Sequence, residues 1–284
     1  MVPGFARLAL PLLWFPSPMC RLLGIAVSDP TDFKIVLREA PRSLAALSRE
    51  HRDGWGIAVW DEDGGWRVEK GIACAGEDAR FHELAVGSRG RVLLSHIRKK
   101  TVGEASLANT HPFERGRWVF AHNGTVKDVA FLRRHTSPER AAEVLGETDS
   151  ELLFAWLLTR LDEAGVAHAA ATPATDRALG KAAREARARP DFGAFNFLMS
   201  DGATLYAHRS GRTLHLLERG PADAVRQSRR SHDGMVVQTP WTDRRVALFV
   251  ASEKITDEPW QSIDEGMLLR IERAPVPHWR LVAP

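Results

Sequence analysis

Clustered and alternating apolar residues beyond Met19 predict a chain built mainly from short strands. The first is the apolar run Cys20–Val27, and the runs Trp55–Asp61 and Trp66–Gly71 are joined by Glu62–Gly65, which is typical of a hairpin turn. Further strands are predicted at Arg91–His96, Arg117–His122, Gly193–Met199, Thr204–His208, Thr213–Glu218, Gly234–Thr239, Val246–Ala251 and Met267–Ile271. Strands therefore dominate both halves of the chain.

Helices are predicted between the strands. Asp149–Glu163 has apolar residues at helical spacing and an acidic first turn, which the positive end of the helix dipole favours. Asp32–Glu50 shows helical spacing too, and Pro41 divides it into two helices. Residues 165–190 are rich in Ala and Arg with little to fill a core, which predicts an insertion made of a loop and a solvated helix. The pattern favours an α+β fold, with helices covering two antiparallel sheets and residues 20–284 forming one domain.

Composition narrows the class of protein. Of 284 residues, 44% are hydrophobic and 26% charged, which excludes a disordered or collagen-like chain. The net charge of +3 comes from scattered basic residues and does not indicate a nucleic-acid partner. Two cysteines exclude a disulfide framework and fit a reducing, cytoplasmic compartment. Neither metal-binding spacing of the eleven histidines nor a glycine-rich phosphate loop is present, so we expect no metal and no cofactor.

The first nineteen residues differ from the rest of the chain. They carry one charge, Arg7, and an apolar run from Leu8 to Phe15 that could imitate a signal peptide. Pro11 interrupts this run, however, and no Ala-x-Ala cleavage pattern follows it. The run is too short to span a bilayer, and the chain has no other membrane candidate. We expect residues 1–19 to be a leader or a mis-assigned start that is absent from the active protein, which would make Cys20 the first residue.

Cys20 at the chain terminus would combine a thiol with a free α-amine. The ordinary pKa values are about 8.5 for the thiol and about 8 for the amine, so the amine could accept the thiol proton without help from a histidine. The alternative is an unreactive cysteine in a buried strand.

Three downstream features can be interpreted either as structure or as chemistry. Arg98, at the end of a predicted strand, is a surface arginine or a bidentate partner of a carboxylate. Asn123 and Gly124 form a turn, or they supply two hydrogen-bond donors to an oxyanion. Asp149 opens the predicted helix as a first-turn residue, or it holds a substrate ammonium group.

Six short strings, in this order, resemble the class II glutamine amidotransferases, which are N-terminal-nucleophile enzymes, and most closely their stand-alone YafJ-like branch. The resemblance extends from Met19 to about Met267. The strings are Met-Cys-Arg-Leu-Leu-Gly at 19–24, Asp-Gly-Trp-Gly-Ile-Ala at 53–58, His-Ile-Arg at 96–98, Asn-Thr-His-Pro-Phe at 109–113, Ala-His-Asn-Gly at 121–124 and Thr-Asp-Ser-Glu at 148–151.

The resemblance implies a four-layer αββα sandwich and a mechanism. Cys20 would be the nucleophile that attacks the γ-amide of glutamine and, through its α-amine, the general base. The other roles that the resemblance implies are an oxyanion hole at Asn123 and Gly124, a clamp on the substrate α-carboxylate at Arg98 with Thr101 close by, and a partner for the α-ammonium at Asp149.

The chain also departs from relatives that carry a fused synthase domain. Their Trp-Ala-Thr-His string after the arginine is replaced here by residues 99–102, Lys-Lys-Thr-Val, so one active-site histidine is missing. Little sequence follows the last predicted strand, so we expect no synthase domain. The chain would then hydrolyse glutamine or another γ-glutamyl amide, or release ammonia to a separate acceptor enzyme. The alternative is a catalytically silent binding module that retains its leader.

Overall fold

Two antiparallel sheets form the centre of the protein. The computed structural model describes residues 20–61, 65–100, 103–220, 228–230, 236–238 and 245–282. The first sheet contains β1 (Arg21–Asp32), β2 (Trp55–Asp61), β3 (Gly65–Gly71), β4 (Arg89–Ile97), β9 (His215–Arg219), β12 (Ala247–Ala251) and β13 (Gln261–Ser262). Their spatial order is β13-β9-β12-β1-β4-β2-β3.

The second sheet has six strands among the described residues. They are β5 (Phe113–Arg115), β6 (Trp118–Val126), β7 (Gly193–Ser200), β8 (Thr204–His208), β14 (Leu268–Glu272) and β15 (His278–Leu281). They lie in the order β15-β14-β8-β7-β6-β5. A separate antiparallel pair is formed by β10 (Ser228–Arg230) and β11 (Val236–Gln238).

Helices cover the outer face of each sheet. Against the first sheet lie a π-helical segment (Ile35–Glu39), α1 (Leu44–Leu47) and α2 (Ala79–Gly87), with a short 3-10 turn (Ser48–Glu50) after α1. Against the second lie α3 (Val129–His135), α5 (Asp149–Glu163) and α6 (Pro173–Arg187), and α4 (Pro138–Ala142) packs on α5. A third apolar cluster, which includes Leu22, Leu94 and Leu198, fills the space between the sheets. The layers are therefore αββα, as the resemblance implies.

Strand alternation decides which side chains reach the space between the sheets. In β1, Leu22 faces that space and Leu23 faces the helices, so Cys20, two residues before Leu22, lies on the inner side. In β6, Ala121 faces inward while Phe120 packs under the helices. Asn123 therefore points inward and His122 points toward α5.

The helix predicted within residues 165–190 is present as α6. The prediction that it is solvated is wrong, because one face of α6 belongs to the core. Leu179, Ala182 and Ala186 are fully buried. Small Ala side chains leave little apolar surface to recognise in the sequence, but they let the helix lie close to its neighbours. Whether the segment is an insertion stays a prediction.

Other elements match the predictions to different degrees. The predicted bounds are confirmed for α5 and β8, and the hairpin is confirmed by the pairing of Asp61 with Gly65. The two helices predicted within residues 32–50 are shorter than expected because β1 extends to Asp32. The predicted strand Gly234–Thr239 lies partly outside the described residues. No helix in the described part of the chain is long and apolar enough to cross a membrane.

Candidate active site

Cys20 lies immediately before β1, half-buried at the end of the sandwich. Its sulfur is held by the main chain of Lys99: the Lys99 N–H donates to Sγ at 3.2 Å, and the thiol donates to the Lys99 carbonyl at 3.3 Å. Burial raises the pKa of the Cys20 thiol above its ordinary value, against the opposing effects of the Lys99 hydrogen bond and the charge of Arg98. The thiol is therefore protonated near neutral pH, and a nucleophilic sulfur needs a base.

Arg98 directly follows β4, and because Arg21 of β1 pairs with Ile97 of β4, Arg98 lies opposite Cys20 at the ends of these two strands. The side chain is buried, and its guanidinium donates to the carbonyls of Glu104 at 3.2 Å and Gly103 at 3.3 Å. The Arg98 main-chain N–H donates to the Gly54 carbonyl at 2.8 Å. The guanidinium is thus fixed within the loop that leaves β4. Thr101, the other residue expected here, lies outside the described residues.

Asn123 and Gly124 lie in β6 rather than in a turn, which corrects the structural alternative for Asn-Gly. Asn123 is buried and pairs across the ladder with Asn196 of β7. Within the described part of the chain, the Asn123 side-chain amide makes no hydrogen bond. It therefore presents free donors to the space between the sheets.

The N–H of Gly124 points away from β7. Gly124 pairs with Phe195, whose own N–H donates away from β6 to the Ser210 carbonyl at 2.9 Å, so the two residues form a non-hydrogen-bonded pair. Val126, two residues on, directs its N–H to the same edge of β6, where it donates to Asp149 Oδ2 at 2.6 Å. The amide of Gly124 and the carboxylate of Asp149 consequently lie along one edge of β6.

Asp149 is the first residue of α5, and Thr148 caps the helix by accepting from the Glu151 N–H at 3.2 Å. The Asp149 side chain is buried with one oxygen bonded to Val126, while its other oxygen takes no hydrogen bond from the described residues. This arrangement can hold a cationic group at the positive end of the helix only by direct pairing, because the dipole itself favours anions.

Three histidines connect the two halves of the site, and we call them the histidine cluster: His96 of β4, His111 of the loop before β5, and His122 of β6. Ring centroids are 4.3 Å apart between His96 and His111 and 6.5 Å apart between His111 and His122. Burial lowers the pKa of all three, that of His96 to about 3, and nearby charges including Arg98 contribute for His96 and His111. The cluster is therefore neutral at physiological pH.

Sequence reasoning did not assign a role to this cluster or to the residues that brace the loops. Asn109 joins the loop after Arg98 to the loop before α5: its Nδ2 donates to the Glu104 carbonyl at 3.0 Å, and its Oδ1 accepts from the Glu147 N–H at 2.8 Å. Asp53 accepts from the Lys100 N–H at 2.8 Å. Asn109 and Asp53 both fall within the strings that carry the family resemblance, and this position was the signal in the sequence that could have identified them. Among the described residues, no three His, Cys, Asp or Glu side chains are grouped to bind a metal ion.

Comparison with known proteins shows the family of this chain. The family model for class II glutamine amidotransferases matches residues 19–279. The chain belongs to that family. This membership, and relatives that include a named hydrolase, identify it as an enzyme with the N-terminal-nucleophile fold.

Individual relatives cover nearly the whole chain. YafJ of Escherichia coli strain K12 is 31% identical over 261 residues, which cover 87% of this chain and 95% of YafJ. The γ-glutamyl-hercynylcysteine sulfoxide hydrolase of Mycolicibacterium smegmatis is 28% identical over 269 residues, 93% of this chain and 95% of the hydrolase. A crystal structure of a predicted glutamine amidotransferase from Pseudomonas aeruginosa PA01 superposes with a TM-score of 0.64 at 28% identity, covering 93% of this chain and all of that one.

Proposed function

We propose that this enzyme hydrolyses the γ-amide of glutamine, or a related γ-glutamyl amide, through a γ-glutamyl thioester on Cys20. The observation that carries the proposal is the Cys20 sulfur, held by Lys99 at the start of β1 on the inner side of the sandwich, the side to which the unpartnered amide of Asn123 also points. A reactive sulfur and an oxyanion donor on facing sheets are the two parts that acyl transfer requires.

The first half-reaction forms the thioester. The α-amine of Cys20 takes the thiol proton, and the thiolate attacks the γ-carbonyl carbon. Asn123 and the Gly124 N–H stabilise the negative oxygen of the tetrahedral intermediate. When the intermediate collapses, the carbon–nitrogen bond breaks and the ammonium group returns its proton to the leaving nitrogen, which departs as ammonia or an amine.

The second half-reaction restores the enzyme. The neutral α-amine takes a proton from water, the hydroxide attacks the thioester, and the sulfur leaves with the proton as a thiol. Burial raises the pKa of the Cys20 thiol, and the charges of Arg98 and Arg21 oppose that rise. During both steps Arg98 and Thr101 would hold the substrate α-carboxylate, and Asp149 its α-ammonium.

This chemistry requires that residues 1–19 be absent, since an α-amine within a peptide bond cannot accept a proton. The N-terminus of protein isolated from its native host, measured by intact mass and Edman sequencing, should be Cys20. An unprocessed chain that still turns over glutamine would contradict the α-amine mechanism. An unprocessed chain without activity would favour the silent binding module instead.

A second candidate substrate class is a γ-glutamyl peptide or thiol derivative, and the observation that favours it is the similarity to a γ-glutamyl-hercynylcysteine sulfoxide hydrolase over 93% of the chain. Release of glutamate should be measured with glutamine and with a γ-glutamyl dipeptide under identical conditions. A higher kcat/KM for the dipeptide selects this class. If glutamine is turned over only when a separate acceptor enzyme is present, the result indicates that ammonia is released to that partner.

A further inference from the structure

His122 makes one hydrogen bond in each of two directions from the helix side of β6. Its Nδ1 lies 2.8 Å from Ser150 Oγ in α5, and its Nε2 lies 3.1 Å from the Ala194 carbonyl oxygen in β7. A carbonyl can only accept, so Nε2 must donate. In the neutral ring, which burial favours, Nδ1 then accepts from the Ser150 hydroxyl.

Both bonds end beside groups of the proposed active site. Ser150 follows Asp149 in the first turn of α5. On the other side, a Cβ atom built on Gly124 would lie 2.0 Å from the Ala194 oxygen and 2.9 Å from His122 Nε2. Gly124 is therefore packed directly against the bond between His122 and Ala194, and no other residue type fits there without movement.

We propose that His122 is a positioning residue that fixes the edge of β6 at Gly124 relative to the first turn of α5 at Asp149. The inference rests on the proposed function, because Gly124 and Asp149 have the roles of oxyanion donor and ammonium partner there. His122 itself takes no part in the chemistry, since its ring lies on the helix side of β6 and Cys20 lies on the opposite, inner side.

The two bonds support different stages of the reaction. The bond to Ala194 fixes the strand whose Gly124 N–H meets charge that develops only in the transition state, so its loss lowers kcat. The bond to Ser150 fixes the turn that carries Asp149, which pairs with a substrate charge that does not change, so its loss raises KM.

Two substitutions separate these bonds. In His122→Asn the side-chain oxygen takes the position of Nδ1 and can still accept from Ser150, but the donor to Ala194 is lost. In His122→Gln the side-chain nitrogen takes the position of Nε2 and can still donate to Ala194, but the acceptor for Ser150 is lost. We expect His122→Asn to lower kcat about tenfold with little change in KM, and His122→Gln to raise KM about tenfold with little change in kcat.

Ser150→Ala provides a second variant that leaves the ring in place. It removes the hydroxyl donor alone and should reproduce the rise in KM of His122→Gln. His208→Asn is the matched control: His208 is a buried histidine on the same sheet, in β8, whose Nδ1 bonds to the Met267 carbonyl at 3.0 Å. It should alter thermal stability but leave both kinetic constants unchanged.

A measurement independent of turnover tests the tautomer. Nitrogen NMR of the full chain labelled at histidine should show His122 as the neutral Nε2–H form at neutral pH, and the signal of its Nδ1 should shift in Ser150→Ala. An Nδ1–H form would overturn the proposal.

The proposal would also be overturned if His122→Asn and His122→Gln changed kcat and KM to the same extent. It would be overturned too if both variants affected unfolding alone. If the parent enzyme hydrolyses no γ-glutamyl amide, the proposed function fails, and the NMR result still decides whether the ring makes the two bonds inferred here.

Discussion

Two clusters of buried polar side chains differ in how completely their hydrogen bonds are formed. In the first, the Asp176 cluster, Asp176 of α6 accepts from the Tyr206 hydroxyl at 2.6 Å, from Arg270 at 2.8 Å and from Arg280. Although burial alone raises the pKa of Asp176, these three hydrogen bonds lower it below its ordinary value. In the histidine cluster, neither ring nitrogen of His96 or His111 has a partner among the described residues.

We expect this difference to separate groups that stabilise the fold from groups that serve the candidate site. A buried polar atom without a partner costs about 1 to 3 kcal/mol, whereas a completed network makes its helix and sheet one unit. The Asp176 cluster attaches α6 to β8, β14 and β15 of the second sheet. Both ring nitrogens of His122 are bonded, whereas His96, His111 and the side-chain amide of Asn123 have polar atoms without partners among the described residues, and we expect these unmade bonds to trade stability for function at the candidate site.

The largest expected effect comes from removing the sulfur. Cys20→Ala should reduce turnover by at least about a thousandfold and abolish labelling by a glutamine-like diazoketone, because no other group can form the thioester. Cys74→Ala is the control: Cys74 is buried against Ser48 and should leave activity and labelling nearly intact. Persistent turnover in Cys20→Ala would remove Cys20 from the proposed mechanism.

Breaking the Asp176 cluster should affect stability alone. Asp176→Ala leaves Arg270 buried without its main partner and should lower the free energy of unfolding by about 3 kcal/mol, measured by urea denaturation. The activity of the folded protein should not change. Glu272→Ala removes the more exposed carboxylate on Arg270, 33% accessible, and should cost less than about 1 kcal/mol. A large fall in kcat for Asp176→Ala would place this cluster in the site.

The paired asparagines of β6 and β7 test the comparison within one cross-strand pair. Asn123→Ala should lower kcat about a hundredfold, with a smaller change in KM and no loss of stability, since its amide has no structural partner. Asn196→Ala should do the reverse, because its amide accepts from the Ser210 N–H at 2.7 Å and donates to the Thr213 carbonyl at 3.0 Å. If Asn123→Ala raised only KM, the oxyanion role would be wrong.

Substrate-holding residues should mainly change KM. Arg98→Ala and Asp149→Asn should each raise KM about tenfold or more, because they remove charges that pair with the unreacting end of the substrate. Asp149→Asn retains an acceptor for the Val126 N–H, so it removes the charge without removing that structural bond. A γ-glutamyl amide lacking the α-carboxylate should react poorly with the parent enzyme. Equal reaction rates for the two substrates would contradict the assigned roles.

The sequence predicts the parts of the fold whose signals are local. The bounds of α5 are predicted because its acidic first turn and apolar spacing coincide, and the β2–β3 hairpin because turn residues separate two apolar runs. The buried face of α6 could not be predicted, since alanines carry little apolar signal and Asp176 finds its partners Tyr206, Arg270 and Arg280 only in the folded sheet. The short strands β5 and β15 have too few residues to show an alternation.

For the site, the sequence indicates candidate residues but not how they are held. Cys20, Arg98, Asn123, Gly124 and Asp149 fall in strings that the family shares, and their roles stay predictions. The contacts of Sγ with Lys99, the common edge of Gly124 and Asp149, and the stacking of the histidine cluster depend on strand register. Register pairs residues that are far apart along the chain, so no local pattern reports it.

The last expected effect concerns the dependence of stability on pH, and it is absent at neutral pH. The pKa of His96 is lowered to about 3 in the folded protein, against about 6.5 in an unfolded chain. Between these values the unfolded chain binds a proton that the folded protein does not. The free energy of unfolding should therefore fall as the pH drops from about 6.5 toward about 3, by up to about 1.4 kcal/mol per pH unit for each such histidine.

Two leucine substitutions, His96→Leu and His208→Leu, compare a histidine whose ring has no hydrogen-bond partner among the described residues with one whose Nδ1 is bonded. The pKa of His208 is also lowered to about 3 by burial, but its Nδ1 bonds to the Met267 carbonyl. His96→Leu and His208→Leu should each flatten the fall in stability at acid pH by the same amount, measured by urea denaturation across the pH range. At neutral pH they should differ: His208→Leu removes one of the two hydrogen bonds that the described residues donate to the Met267 carbonyl, leaving only the one from the Arg209 N–H, and destabilises the protein, whereas His96→Leu removes two unpartnered ring nitrogens and does not. Equal losses of stability at neutral pH would show that His96 contributes as much to the fold as a histidine whose Nδ1 is hydrogen-bonded, and the unpartnered ring nitrogens of His96 would not distinguish it from a structural histidine.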